Sequence, residues 1–221
     1  MPLPLKPFYM IRHGQTEANA AERMAGSLDS PLTALGRDQA RAARDVVAAL
    51  SVKPVAVFHS QLSRARDTAM IINEVLKVEM FEDPDLAEIH AGEWEGVPYD
   101  ACRHFLDDWA QAPGGETPHE FFERIKRGKS KALAQFNEPI LIVCHGGVMR
   151  AFGELYNLRV PGRFANAHLY EYSPKIDISE KPSAFPWQVH DYTLCNTTRT
   201  AIKNISPIYE SDESALKTLK A

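Results

Sequence analysis

Two short apolar runs, Phe8-Tyr9-Met10-Ile11 and Ile140-Leu141-Ile142-Val143, each deliver the chain into a histidine followed by glycine, as Arg12-His13-Gly14 and Cys144-His145-Gly146. A run with no polar alternation suits a strand buried on both faces, the position of a central strand in a helix-covered, mostly parallel sheet. Ionisable groups at its end then stand at the edge of a core, where open α/β sheets gather ligands. The rest of the chain fits this frame. Strand patterns at 8–12, 55–59, 140–144, 169–172 and 187–192 alternate with longer helical ones, so the class is α/β. Thr33 is a cap before Leu35, Ala43, Val46, Val47 and Leu50 at helical spacing, which predicts a helix over 33–50, and 63–76 reads likewise. From 98 to 136 no strand signal occurs, but Thr117-Pro118-His119-Glu120 forms a capping box with proline at the first helical position. That region is expected to be a helical insertion, covering about 90–137 of a single domain over 1–209. The stretch 173–186 reads as a surface loop and 210–221 as a weakly anchored tail.

Composition narrows the function classes. A chain of 221 residues suits one α/β domain with an inserted helical subdomain. A formal net charge of −4 argues against broad nucleic-acid binding. Cys102, Cys144 and Cys195 are widely spaced and odd in number, so neither a disulfide framework nor a zinc ribbon is indicated. No uninterrupted apolar run approaches the roughly 18 residues of a membrane span, and the amino terminus does not make a secretory signal. The expectation is a cytoplasmic protein that acts on neither nucleic acid nor a membrane; a homodimer stays open.

Four clusters fall at the carboxyl ends of the expected strands: Arg12-His13-Gly14, the 59–64 stretch His59-Ser60-Gln61-Leu62-Ser63-Arg64, Leu86-Ala87-Glu88-Ile89, and His145-Gly146-Gly147. Two guanidiniums suit a phosphate because each offers a planar fork of donors, and Gly14 and Gly146 allow close backbone approach at helix starts. A neutral imidazole is a competent nucleophile toward phosphorus, and a nearby carboxyl that holds its proton can protonate the departing oxygen. Arginines and a second histidine would stabilise the equatorial oxygens without any metal.

These residues resemble the histidine phosphatase superfamily, which includes the cofactor-dependent phosphoglycerate mutases. Arg12-His13-Gly14-Gln15-Thr16-Glu17-Ala18-Asn19 is similar to its nucleophile motif, which implies His13 as the phosphorylated residue, with Arg12 and Asn19 binding phosphate. Asp29-Ser30-Pro31-Leu32-Thr33 resembles the next segment, Ser60-Gln61-Leu62-Ser63-Arg64-Ala65 implies Arg64 as the second arginine, and Leu86-Ala87-Glu88-Ile89 implies Glu88 as proton donor. His145-Gly146-Gly147-Val148 carries the second histidine, and the resemblance spans about 8–172. It implies a three-layer αβα sandwich, a mostly parallel sheet with an antiparallel edge strand, and a site covered by the insertion. The implied activity is a metal- and cofactor-independent phosphomonoesterase acting on a small phosphorylated metabolite through phosphohistidine. Ala25-Gly26 and Gln61 depart from the family pattern, and Gly96-Val97-Pro98-Tyr99-Asp100 lacks the basic residues of the mutase branch. A mutase and a non-catalytic phospho-ligand binding module remain alternatives.

Other reactive residues receive structural readings. His59, His90, His104, His119, His168 and His190 lack metal-ligand spacing, with His90 and His168 as minority candidates for the pocket mouth. Cys144 is expected to act as a small buried residue, Trp94 and Phe121-Phe122 as core or lid packing, and the basic run from Arg124 to Lys131 as a solvated face.

Overall fold

The computed structural model describes residues 3–102, 108–158, 160, 163–175, 185–195 and 197–209. In chain order these form β1 (Phe8–Arg12), α1 (Glu17–Ala20), α2 (Ala34–Ala48), β2 (Ala56–His59), α3 (Ser63–Leu76), β3 (Glu79–Glu82), α4 (Pro118–Gln135), β4 (Leu141–Cys144), α5 (Gly146–Glu154), β5 (Leu169–Pro174), β6 (Trp187–Leu194) and β7 (Ala201–Ile205). The seven strands make one sheet in the order β3-β2-β4-β1-β5-β6-β7. Pairing is parallel from β3 through β1 and antiparallel from β1 through β7. The expected antiparallel edge strand is present as β7, and antiparallel pairing also reaches inward to β5, beside β1.

Alternation along the central strands produces the layers. Phe8 and Met10 of β1 and Ile142 and Cys144 of β4 join a core with Phe121 and Ile125 of α4 and Val148 and Phe152 of α5. Tyr9 and Ile11, with Leu141 and Val143, face a second core built with Val47 of α2 and Ala65, Ala69 and Ile72 of α3. Both faces of β1 and β4 are therefore buried, which is why their sequences run apolar without a break. Each large side chain so buried contributes about 1.5–3 kcal/mol.

Caps set several helix starts: Thr33 Oγ1 accepts from Gly36 N–H, and Thr117 exchanges both bonds of its capping box with Glu120. Leu35, expected on the apolar face of α2, is instead 53% exposed, because the buried face runs through Gly36, Ala40, Ala43 and Val47, one residue round from it. Strands β3 and β7 were not anticipated; Glu79 and Glu82 and the exposed face of β7 give edge strands no apolar pattern to detect. α4 belongs to a sandwich layer, burying Phe121, Ile125, Lys129, Ala132 and Leu133. The expectation of a solvated basic face at 124–131 is corrected at two positions, since Lys129 is wholly buried and Arg124 largely so, while Arg127 and Lys131 do face solvent. Most of the 173–186 loop, the 210–221 tail and His104 lie outside the described residues. Among the described residues no helix is long and apolar enough to cross a membrane.

Candidate active site

Register brings the two histidine-glycine corners together. Parallel pairing sets Arg12 opposite Cys144, and His13 N–H donates to the Cys144 carbonyl at 3.0 Å. The next residues, His13 and His145, consequently lie side by side with ring centroids 5.2 Å apart. Strand β2 pairs His59 with Val143, so Ser60 emerges at the same edge.

The hydrogen bonds assign the His13 tautomer. Nδ1 lies 2.7 Å from the Gly14 carbonyl, which can only accept, so Nδ1 carries the proton and Nε2 keeps its lone pair. Burial first, then the charges of Arg64 and Arg12, hold the imidazole well below its ordinary 6.5, so it is neutral at physiological pH. Gly14 is required for this turn: a Cβ there would stand 2.3 Å from the Gly36 carbonyl oxygen.

His145 caps the start of α5 and is fully buried. Arg64 Nε donates to its Nδ1 at 3.3 Å, which leaves the proton of the neutral ring on Nε2, 2.7 Å from Ser60 Oγ. Burial, then Arg64, again push its pKa well down. Arg64, only 1% exposed, also donates to the carbonyls of Leu28 at 2.8 Å and Gly26 at 2.7 Å. Arg12 donates from Nη1 to Phe164 O at 2.7 Å, while its buried Nε has no partner among the described residues. Burial lowers both guanidinium pKa values and nearby Glu88 opposes the shift; both remain charged at neutral pH. Among the described residues neither has a carboxylate within ion-pair distance.

Glu88 and Gly146 complete the enclosure. A Cβ on Gly146 would lie 3.6 Å from Arg12 Nε, so the first turn of α5 borders that guanidinium. Gly147 N–H donates to Glu88 Oε2 at 2.9 Å and Ile89 N–H to Oε1 at 3.1 Å. A Cβ at 147 would stand 2.1 Å from Glu88 Oε1, so a larger residue there would displace the carboxylate. Asn19 joins through two weaker bonds: it donates to Tyr99 Oη at 3.4 Å and accepts from Asn166 Nδ2 at 3.4 Å. Asn166 also donates to the His13 carbonyl at 2.9 Å. The structure therefore gathers Arg12, His13, Asn19, Arg64, Glu88, His145 and Gly146 around one enclosure.

Ser60, Tyr99, Asn166 and Arg163 were not assigned roles from sequence. Arg163 lies over the Tyr99 ring, 4.4 Å from its centroid, and its charge acts on Arg12. Ser60 lies inside the quoted 60–65 motif, which pointed only to Arg64; Tyr99, Asn166 and Arg163 are defined by partners far along the chain. His168 stands 4.0 Å from Asp191 Oδ2 and edge-on to Tyr170, whereas exposed His90 lines an open groove with Glu116 and His119. Burial pushes the Cys144 thiol up to about 12, so it is no nucleophile at neutral pH.

Comparison with known proteins gives a consistent placement. A profile of the histidine phosphatase superfamily (branch 1) matches residues 8–172. The chain is 35% identical over 159 residues to a glucosyl-3-phosphoglycerate phosphatase of Mycolicibacterium vanbaalenii, covering 64% of this chain and 70% of the relative. It is 36% identical over 150 residues to a probable phosphoglycerate mutase of Serratia proteamaculans, covering 62% and 68%. A mycobacterial glucosyl-3-phosphoglycerate phosphatase solved in complex with VO3 superposes with a TM-score of 0.70 at 29% identity, covering 83% of this chain and 97% of that one.

Proposed function

We propose that this chain, which belongs to the histidine phosphatase superfamily (branch 1) and is a phosphoric monoester hydrolase, passes the phosphoryl group of a small ester through His13 Nε2. The observation that carries this reading is the pair of guanidiniums, Arg64 fully buried and Arg12 partly so, set without a carboxylate partner among the described residues beside a neutral imidazole whose free lone pair is on Nε2. A phosphoryl dianion supplies the missing negative charge, and Arg12 Nε, which lacks an acceptor, gains one. Nε2 attacks phosphorus as the ester P–O bond breaks, and Glu88 delivers a proton to the departing alcohol oxygen. Water then attacks the phosphohistidine, gives its proton to the Glu88 carboxylate, and releases phosphate. Asn19 and Gly146 border the phosphoryl group. His145, beside His13, borders the phosphoryl group and holds Arg64 through Nδ1.

The reading extends to the substrate's other half. Arg163, held over Tyr99 and without an ion-pair partner among the described residues, adds a cation beside Arg12, which favours an ester bearing a second anionic group such as a carboxylate. The relatives named for phosphoglycerate compounds are in line with that class. The proposal carries with it a cytoplasmic location, in keeping with the free thiols of Cys102, Cys144 and Cys195, one domain over 1–209 with its insertion at about 90–137 beside the site, and room for a homodimer.

The test is phosphate release from 4-nitrophenyl phosphate and from paired alkyl phosphates with and without a carboxylate, in the presence and absence of EDTA. EDTA-resistant release that falls by at least about a thousandfold in His13→Ala is expected. Retained turnover in that variant, or loss on chelation, would overturn the mechanism. Phosphoglycerate isomerisation primed with the bisphosphate should be weak, because 96–100 holds no basic residue.

A further inference from the structure

The structure assigns Arg124 a role that its exposed-looking sequence context hides: we propose that Arg124, held by Glu116, is a positioning residue that sets the placement of Glu88. The inference rests on the reading of Glu88 as the proton donor. Arg124 stands in the second turn of α4, and its side chain is 18% exposed, that of Glu116 15%. Its Nη1 donates to the carbonyls of Ala87 at 3.0 Å, Asp85 at 3.2 Å and Pro84 at 3.5 Å, and Nη2 to the carbonyl of Glu88 itself at 3.3 Å. On the other side Nε and Nη2 meet Glu116 Oε1 and Oε2 at 2.8 and 2.7 Å, a bidentate pair that fixes the plane of the fork.

Glu116 is anchored in turn. Its N–H donates to the His90 carbonyl at 2.9 Å, and its Oε2 accepts from His90 N–H at 3.4 Å. One ion pair thus ties the main chain on both sides of Glu88 to α4, while Gly147 N–H holds the carboxylate at the start of α5. One turn further along α4, Arg127 pairs with Asp85 at 2.6 Å, so the same segment is gripped twice from the same helix. Glu88 has neither a strand ladder nor a helix of its own to locate it: it follows a three-residue 3₁₀ turn, Pro84–Leu86. A planar five-donor fork satisfies several backbone acceptors at once, which a lysine ammonium on a flexible stem does not reproduce.

A donor held in the wrong place costs rate in proportion to how much the leaving group needs its proton. The experiment is a leaving-group series of phosphate esters, from 4-nitrophenyl to simple alkyl, measured for kcat and KM on the parent, Glu88→Gln, Arg124→Ala, Arg124→Lys, Glu116→Gln and the double variant Glu88→Gln/Arg124→Ala. Arg124→Ala is expected to lower kcat on alkyl esters at least about tenfold more than on the aryl ester, since misplacement by about 1 Å can cost a hundredfold. In the Glu88→Gln background the same change should add less than about twofold to the alkyl-ester loss, because the group it positions is already gone. Arg124→Lys should recover only part of the rate.

A uniform loss across the series in Arg124→Ala, with Glu88→Gln still leaving-group dependent, would show a merely structural residue and overturn the inference. If Glu88→Gln itself lost rate uniformly, the proton-donor reading would fail instead. Should Arg124→Ala not fold, Glu116→Gln carries the same test, since it loosens the fork and leaves its four carbonyl bonds.

Discussion

Arg64 and Lys129 are both buried cations, 1% and 0% exposed, and neither has a carboxylate partner among the described residues. Their surroundings differ in kind. Arg64 is met by the carbonyls of Gly26 and Leu28 and by His145 Nδ1, at the edge where α3 leaves the sheet. Lys129 Nζ has Met10 Sδ at 3.1 Å and the Phe152 ring centroid at 3.5 Å, with Phe8 at 5.7 Å and the Cys144 thiol nearby. Burial lowers the Lys129 pKa from 10.5 to about 7, whereas the guanidinium keeps its charge. A buried charge persists where fixed dipoles face it and is shed where only rings and sulfur do. The first environment keeps a charge at the edge of the sheet, and the second leaves a core.

The same substitution at both positions should separate them. Arg64→Met is expected to cut kcat/KM by about a thousandfold, the scale of removing one preorganised transition-state donor. It should also destabilise, by about 1–3 kcal/mol for each stranded acceptor, read by urea unfolding. Near-parent turnover would break the comparison at its functional end. Lys129→Met should leave turnover intact and stabilise the fold. The sign follows from linkage: between about 7 and 10.5 the unfolded chain binds a proton the folded chain does not, so this lysine makes stability rise with pH, by up to about 1.4 kcal/mol per pH unit. Below that window both states are charged and the penalty is constant. The gain in Lys129→Met over the parent should therefore be largest at pH 6 and shrink toward pH 10; a pH-independent difference would show that Lys129 keeps its charge in the fold.

The smallest effect concerns His13. Its imidazole should titrate by NMR well below 6.5 in the parent, so the nucleophile stays neutral as pH falls through that value. In Arg64→Met the midpoint should move upward, because one of two repelling cations is gone, while in Lys129→Met it should not move. An unchanged midpoint in Arg64→Met would leave burial and Arg12 as the causes.

The central strands and the residues at their ends were legible because β1 and β4 bury both faces and so tolerate no polar residue until they leave the sheet at Arg12 and Cys144. Helix α3 matches the expected 63–76, and the capping box at Thr117 marks the start of α4. The edge strands β3 and β7, half in solvent, carry no such constraint. Lys129 and Arg124 were misread for another reason: a charged residue on a helix normally faces water, and nothing local reveals that the facing groups are a thioether and aromatic rings in one case and backbone carbonyls in the other.

By itself the chain determined its strand-helix alternation, the family its motifs belong to, and the placement of arginine and histidine side chains at strand ends, because hydrophobic period and residue type are local properties. Only the tertiary structure decided that Arg12 and Cys144 share a register, that Asn166 reaches the His13 carbonyl across 153 residues, and that Arg124 holds the segment bearing Glu88. Those contacts join groups whose chemistry is common to many positions, chiefly backbone carbonyls and amides, and what distinguishes the chosen ones is proximity, which exists only once the chain has packed.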